Sequence, residues 1–347
     1  MVTASSAASS NKDKRWLAID TDAGIDDAVA ICLALELGNE YGVEVKLLTC
    51  VQGNVNLEQV AVNVAKCRAV AKEGAASASP PIYLGSELAL NGSQVDATYF
   101  HGLDGLGDVD DVDHPGETSV DGCAIDALIH LAHQAKAQNK HLTVLALGPL
   151  TNIAKAIQKE SSLMSLVDEL VLMGGCGNAR GNVTRVAEFN VYNDAEAAEY
   201  VFRTWTQPNI AVASWEFTVD HPIPWHQFDE ILDVDNPNHT RVGTFLSKVL
   251  YNAYGSREKT SRERSKTGAV ICDPCALVYC LDKNLVTKFE RMHVEVECKG
   301  KLTRGMTILD AGTSYDGVER EQNVKWLSKM DTRVLVEMLH RVCLQQE

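Results

Sequence analysis

Short apolar runs alternate with amphipathic stretches along most of this chain. The runs at Trp16–Ile19, Val43–Val51, Ile82–Leu84, Leu142–Leu147, Leu170–Met173 and Ile210–Ala213 predict strands. Between them, residues of helical period predict helices over Asp26–Leu37, Leu57–Lys72, Ala124–Ala137, Thr151–Gln158 and Ala195–Thr204, with Gly38 and Gly74 ending the first two. A long Gly/Asp-rich loop over Ala89–Val120 interrupts the alternation. Strand–helix repetition means βαβ units. The expected fold is therefore α/β, an open and mainly parallel sheet with helices on both faces. The later part is less regular. Val242–Tyr254, Pro274–Leu281 and Asp331–Val342 read as helices, and Ser256–Thr267 as a charged loop. His293–Glu297 alternates as an antiparallel strand does, which adds a small antiparallel piece near the C-terminus. No repeat or linker divides residues 15–347, so one domain is expected there.

Composition narrows the picture. The chain has 347 residues, 45% hydrophobic and 23% charged, enough for a large core. A net charge of −15 argues against nucleic acid and anionic membranes as partners, and suits a small uncharged substrate or a bound cation. Ten cysteines without regular spacing read as reduced thiols of a cytoplasmic protein. Residues 1–14 are small and polar with no apolar core, so a disordered leader is expected and not a signal peptide. No run of apolar residues is long enough to span a membrane.

Chemistry concentrates after the first strand, in Asp20-Thr21-Asp22-Ala23-Gly24-Ile25-Asp26-Asp27. Four carboxylates this close repel unless hydrogen bonds or a cation compensate. Asp26 or Asp27 suits a helix N-cap. The strand's period of two puts Asp20 and Asp22 on one side, where with the following pair they can surround one hard cation. An all-oxygen set suits Ca²⁺ or Mg²⁺ and not zinc.

The segment Asp20–Ile31 resembles the DTDPGIDDAxAI signature of the inosine-uridine-preferring nucleoside hydrolases, with Ala23 where that pattern usually has Pro. The resemblance continues in order over about residues 15–340. It takes in Val51-Gln52-Gly53-Asn54, His101-Gly102, Ala146–Asn152 (ALGPLTN), Val171–Gly175, Gly181-Asn182, Ala187–Asn190 (AEFN) and Asp273–Ala276 (DPCA).

The resemblance implies hydrolysis of the N-glycosidic bond of a ribonucleoside, with Ca²⁺ as cofactor. That reaction needs a water held and deprotonated, a clamped ribose and a stabilised leaving base. Asp22 is expected as general base and metal ligand. Asp27, Asp273 and the Leu147 carbonyl complete the metal set. Asp26, Asn54, Asn182, Glu188 and Asn190 are expected on the ribose. Met173 is read as the floor of the sugar pocket or as core. A homo-oligomer, dimer or tetramer, is also implied.

Cys272 departs from the best-known members, which carry His before the metal-binding Asp; a subgroup carries Cys, and this chain resembles it. A thiol is a poor proton donor to a base, its ordinary pKa being near 8.5. Cys272 is therefore expected to shape the base pocket, and His101 to be the leading candidate for leaving-group acid. Tyr251, Tyr254 and Arg257 lie in loops expected to close over the base, which Trp215 or Trp225 could stack. Cys272-x-x-Cys275 lacks a second pair at zinc spacing. Asp108, Asp110, Asp111 and Asp113 lack the glycine of a calcium loop and read as a solvated acidic lid. Two other readings compete. An aspartyl-nucleophile phosphatase would need a catalytic Lys near the later strand ends. A non-catalytic nucleoside-binding protein would not need Asp22, Asp27 and Asp273 intact.

Overall fold

A computed structural model describes residues 15–71, 79–109, 122–255, 265–312 and 317–345. The expected leader, Asp110, Asp111, Asp113 and Arg257 lie outside the described residues.

Among the described residues the alternation builds a nine-stranded sheet. Its strands are β1 (Arg15–Thr21), β2 (Val43–Cys50), β3 (Ile82–Leu84), β4 (Leu142–Ala146), β5 (Glu169–Met173), β6 (Ile210–Ala213), β9 (Val286–Val296), β10 (Thr307–Asp310) and β11 (Val324–Met330). Two further strands, β7 (Ile223–Pro224) and β8 (Gly268–Ala269), form a separate antiparallel pair. The order across the large sheet is β10-β9-β11-β6-β5-β4-β1-β2-β3. From β3 to β11 all neighbours are parallel, whereas β9 runs antiparallel to both β11 and β10.

The strands are apolar runs because both faces are covered. Leu17 and Ile19 point into one core layer, with helices Ile25–Leu37, Leu57–Val70, Arg241–Leu250, Asp273–Leu281 and Thr332–Cys343. Trp16 and Ala18 point into the other, with helices Ala124–Ala137, Thr151–Lys159 and Ala195–Thr204. This is the period-two division of a strand buried on both sides. β1 continues to β2 on one side and is joined by β4 on the other, so the strand order reverses between β1 and β4. A crevice opens at such a switch point, beyond the carboxyl ends of the strands.

The antiparallel addition is larger than expected. β9 extends well before His293, and β11 enters the main sheet beside β6. The helix expected over Val242–Tyr254 ends at Leu250, and Tyr251–Gly255 is a π-turn. No described helix is long and apolar enough to cross a membrane.

Candidate active site

β1 ends at Thr21, and the next helix starts at Ile25 with Gly24 as its N-cap. Neither Asp26 nor Asp27 is the cap; the Asp27 carboxylate instead reaches back to accept from the Gly24 N–H at 2.9 Å. The other Asp27 oxygen accepts from Thr21 Oγ1 at 2.5 Å, and Thr21 Oγ1 accepts from the Ala23 N–H at 3.0 Å. The turn is thus stitched by its own side chains. Ala23 sits at φ +46°, in the left-handed region. A proline ring locks φ near −65° and has no N–H to give. The turn is therefore not the one a proline at this position would make.

Asp22 is fully buried beside it. It accepts from the Asn54 backbone N–H at 2.9 Å and from Asn54 Nδ2 at 3.0 Å. The same amide nitrogen lies 3.2 Å from Asp27, so Asn54 spans the two carboxylates. Asp273 opens the helix Asp273–Leu281 and faces the same point. Carboxylate oxygens of Asp26, Asp27 and Asp273 lie within 4.8 Å of one another. Asp20 does not join them, contrary to the period-two expectation. The chain leaves the strand at Thr21, which breaks the alternation. Asp20 turns into the sheet layer and accepts from Thr49 Oγ1 at 2.5 Å and Asn152 Nδ2 at 2.8 Å.

A cavity of about 480 Å³ opens above this cluster. Asp26, Asn54, Met173, Asn182, Glu188, Asn190, Cys272 and Asp273 all line it, as do Leu147 and His101. Asp22 and Asp27 lie beneath its surface, both fully buried. Asn190 Nδ2 donates to the Leu147 carbonyl at 2.7 Å and to the Met173 carbonyl at 3.2 Å, which ties the ends of β4 and β5 together. Glu188 caps the short helix Phe189–Asn193, accepting from the N–H groups of Asn190, Val191 and Gly175. Asn182 Oδ1 accepts from the Phe189 N–H at 2.8 Å. Aromatic rings of Phe100, Trp215, Trp225 and Tyr254 also line the cavity. Trp225 and Tyr254 are fixed by hydrogen bonds to the Ser265 and Val270 carbonyls.

His101 closes the short helix Thr98–His101 and is buried against the turn. Its Nδ1 accepts from the Ile25 N–H at 3.0 Å and lies 4.0 Å from Asp26. Burial pulls its pKa below the ordinary value and outweighs the opposing pull of Asp26. The ring is thus a neutral imidazole whose proton is on Nε2. Cys272 precedes Asp273 and lines the cavity; burial, then Asp26 and Asp273, push its pKa well above the usual thiol range, so it is a thiol and not a thiolate. Asp108 closes a loop with Asp104 through reciprocal hydrogen bonds, Asp104 N–H to Asp108 Oδ1 and Asp108 N–H to Asp104 Oδ1.

The cluster fits a hard divalent cation. Burial pushes the Asp22 carboxyl well above the carboxylate range, with Asp27 adding to it. Burial and Asp26 push Asp27 up to about 7. Burial, Asp26, Asp27 and Asp22 push Asp273 up as well. Among the described residues the cavity is lined by no Lys or Arg that would offset these charges. Buried carboxylates that repel one another and lack a basic partner are the donor set of an oxygen-ligated cation.

Two buried side chains that bind the carboxylate turn carry no expectation from the sequence, Thr21 and Asn63. Thr21 lies between two singled-out aspartates. Asn63 is a fully buried amide within the apolar stripe Val60, Ala61, Val64, Ala65 and Cys67, and that misplaced polarity is the signal that could have found it.

Fold, switch point and carboxylate cluster together define an α/β protein with a site for a cation and a small ligand. The family model for the inosine-uridine preferring nucleoside hydrolases matches residues 17–337. The chain belongs to that family and is a glycosidase. An inosine-uridine preferring nucleoside hydrolase of Leishmania major is 35% identical over 302 residues, covering 85% of this chain and 88% of that protein. A pyrimidine-specific ribonucleoside hydrolase of Salmonella typhi is 33% identical over 294 residues, covering 84% and 87%. Among solved structures, an inosine-guanosine nucleoside hydrolase superimposes with a TM-score of 0.81 at 27% identity, covering 94% of this chain and 98% of that one. A plant nucleoside hydrolase gives the same TM-score at 25% identity and the same coverage.

Proposed function

We propose that the protein hydrolyses the N-glycosidic bond of ribonucleosides to ribose and free base. The observation that carries this reading is the meeting of Asp26, Asp27 and Asp273 oxygens within 4.8 Å of one another, with Asp22 beside Asp27 across the Asn54 amide, at one cavity that amides and aromatic rings also line. Asp22, Asp27, Asp273 and the Leu147 carbonyl would hold Ca²⁺, which when bound orients the attacking water and offsets the clustered charge. Calcium lowers the pKa of a water far less than zinc does, so a carboxylate must take the proton. Asp22 is assigned that task, because its oxygens are held by both the backbone and side chain of Asn54. Burial, then Asp27 and Asp26, raise its pKa, and a bound cation would favour its ionised form.

Asp26, partly exposed to the cavity, is assigned to the ribose 2′-hydroxyl. Asn54, Asn182, Glu188 and Asn190 complete the ribose clamp, and Met173 forms its floor. Glu188 keeps acceptor capacity beyond its three backbone bonds, since an ionised carboxylate has about four lone-pair sites. Phe100, Trp215, Trp225 and Tyr254 flank the base. His101 is retained as a catalytic residue in a changed form. With Nδ1 occupied by the Ile25 N–H, it serves the leaving base as an Nε2–H hydrogen-bond donor and not as an imidazolium. Cys272, the residue in which the chain resembles the Cys-bearing subgroup, is assigned to shaping the base pocket.

The phosphatase alternative lacks its lysine, since no Lys among the described residues lines the cavity. Asp22→Asn keeps the shape and removes the proton acceptor. It is expected to lower kcat by roughly 10²–10⁴ with a smaller change in KM. Near-normal turnover in this variant would assign the water to another group.

A further inference from the structure

Asn63 lies on the helix Leu57–Val70, fully buried, one layer behind the cavity. Its Nδ2 donates to the Ala23 carbonyl at 3.1 Å and to the Asp104 carbonyl at 2.8 Å. Its Oδ1 accepts from Gln59 Nε2 at 2.9 Å, which fixes which way the amide faces. An amide nitrogen carries two hydrogens, so one side chain serves both carbonyls and neither is left bare.

The two carbonyls belong to the two segments the site depends on. Ala23 is the left-handed residue between Asp22 and the Asp26–Asp27 pair. Asp104 stands in the loop that follows His101, which closes on itself through the Gly107 N–H to the His101 carbonyl at 2.7 Å and the Gly105 N–H to the Gly102 carbonyl at 3.2 Å. A side chain at Gly105 would come within 2.8 Å of Asn63 Nδ2, so the loop backbone lies directly on the amide. From the other side the Ile25 N–H binds the His101 ring. The carboxylate turn and the His101 loop are thus joined at two points, one through His101 itself and one through Asn63.

We propose that Asn63 is a positioning residue of the hydrolytic site. It holds the Ala23 peptide in the unfavoured conformation that aims Asp22, Asp26 and Asp27 at one point, and it registers the His101 loop against that turn. The proposal rests on the reading of those carboxylates as a calcium cradle in a nucleoside hydrolase. Asn63 does not line the cavity and acts through Ala23 and Asp104.

The test is Asn63→Leu, which keeps the branching and the number of heavy atoms and removes the donor. Metal-stripped full-length protein is titrated with calcium chloride by calorimetry, with circular dichroism as the check on folding, and turnover is then measured at saturating calcium. Loss of two buried hydrogen bonds should weaken calcium binding roughly ten- to hundredfold in a folded variant. The kcat at saturating calcium should stay below wild type, since the His101 loop loses its register. A folded Asn63→Leu protein with calcium affinity and kcat within about twofold of wild type overturns the proposal, however much its melting temperature falls. Should Asn63→Leu not fold, Asn63→Ser keeps one donor, and an intermediate calcium affinity is expected; wild-type affinity there overturns the proposal equally. Calcium binding is read without nucleoside. A wild-type protein that binds calcium and releases no base therefore refutes the hydrolase reading while the Asn63 comparison still stands, and a wild type that binds no calcium overturns both.

Discussion

Ala23 shows how much of this site depends on single backbone angles. Its φ of +46° costs an L-residue about 1–2 kcal/mol, and three hydrogen bonds around it offset the cost: its own N–H to Thr21, Asn63 Nδ2 to its carbonyl, and the Gly24 N–H to Asp27. Ala23→Pro would restore the residue usual in the signature, yet the ring cannot take this angle and loses the bond to Thr21. We expect destabilisation of about 2 kcal/mol or more and weaker calcium binding, measured by urea unfolding and by calcium titration. A variant as stable as wild type would mean that the turn readily adopts the proline geometry. The aspartates of this turn were legible in the sequence, because four carboxylates in eight residues demand an explanation. The turn's angle was not, because beside the local bonds to Thr21 and Asp27 the Ala23 carbonyl is bound by Asn63, a residue distant in the sequence. Asp20 misled for a related reason: the period-two argument holds only while the strand lasts, and the strand stops one residue too soon.

At the scale of elements, the parallel half of the sheet was legible because each strand is an apolar run followed by a helix. The C-terminal part was less so. β11 carries lysines at 325 and 329 among its apolar residues and lies between a parallel and an antiparallel neighbour, so neither a continuous run nor a clean alternation announces it. The helix Arg241–Leu250 was recognised, and its contact with the last helix was not. Gly243 faces the backbone there: a Cβ would fall 1.9 Å from the Cys343 carbonyl oxygen. Helix propensity alone favours Ala over Gly by roughly 1 kcal/mol. Packing opposes it and should win, since the obstacle is backbone and cannot swing aside. Gly243→Ala should lower stability by about 1–3 kcal/mol in urea unfolding. A gain in stability would show that the two helices separate easily.

Across the whole molecule, stability and the carboxylate cluster are linked through protons. Burial and mutual repulsion raise Asp22, Asp27 and Asp273, with Asp27 reaching about 7. A carboxyl whose folded pKa lies above its unfolded value binds more protons in the folded state. Stability of the calcium-free protein should therefore fall as pH rises from about 4, the unfolded value, towards 7. Calcium replaces those protons, so the rise in melting temperature that it produces should widen between pH 5 and pH 7.5. Thermal melts with and without chelator at both values check this; an equal calcium effect at both would separate the cluster from the cation. Glu169, at the opposite end of β5, has the other sign. Burial alone would raise it, but Lys283 and Lys325 hold it below its ordinary value. Its contribution is present at neutral pH and is lost as pH falls through the carboxylate range.

The central claim is that these carboxylates and this cavity break the bond between ribose and base. The most direct measurement incubates the purified protein with inosine, guanosine, adenosine, uridine and cytidine, and follows free base and ribose by chromatography, with and without calcium chelation. The account predicts equimolar base and ribose from at least one ribonucleoside, abolished by chelation and restored by calcium. It also predicts far slower release from the matching 2′-deoxyribonucleoside, because Asp26 would be left without its hydroxyl partner. Nucleosides recovered intact from a folded, calcium-loaded protein, or base released at full rate after chelation, would contradict it.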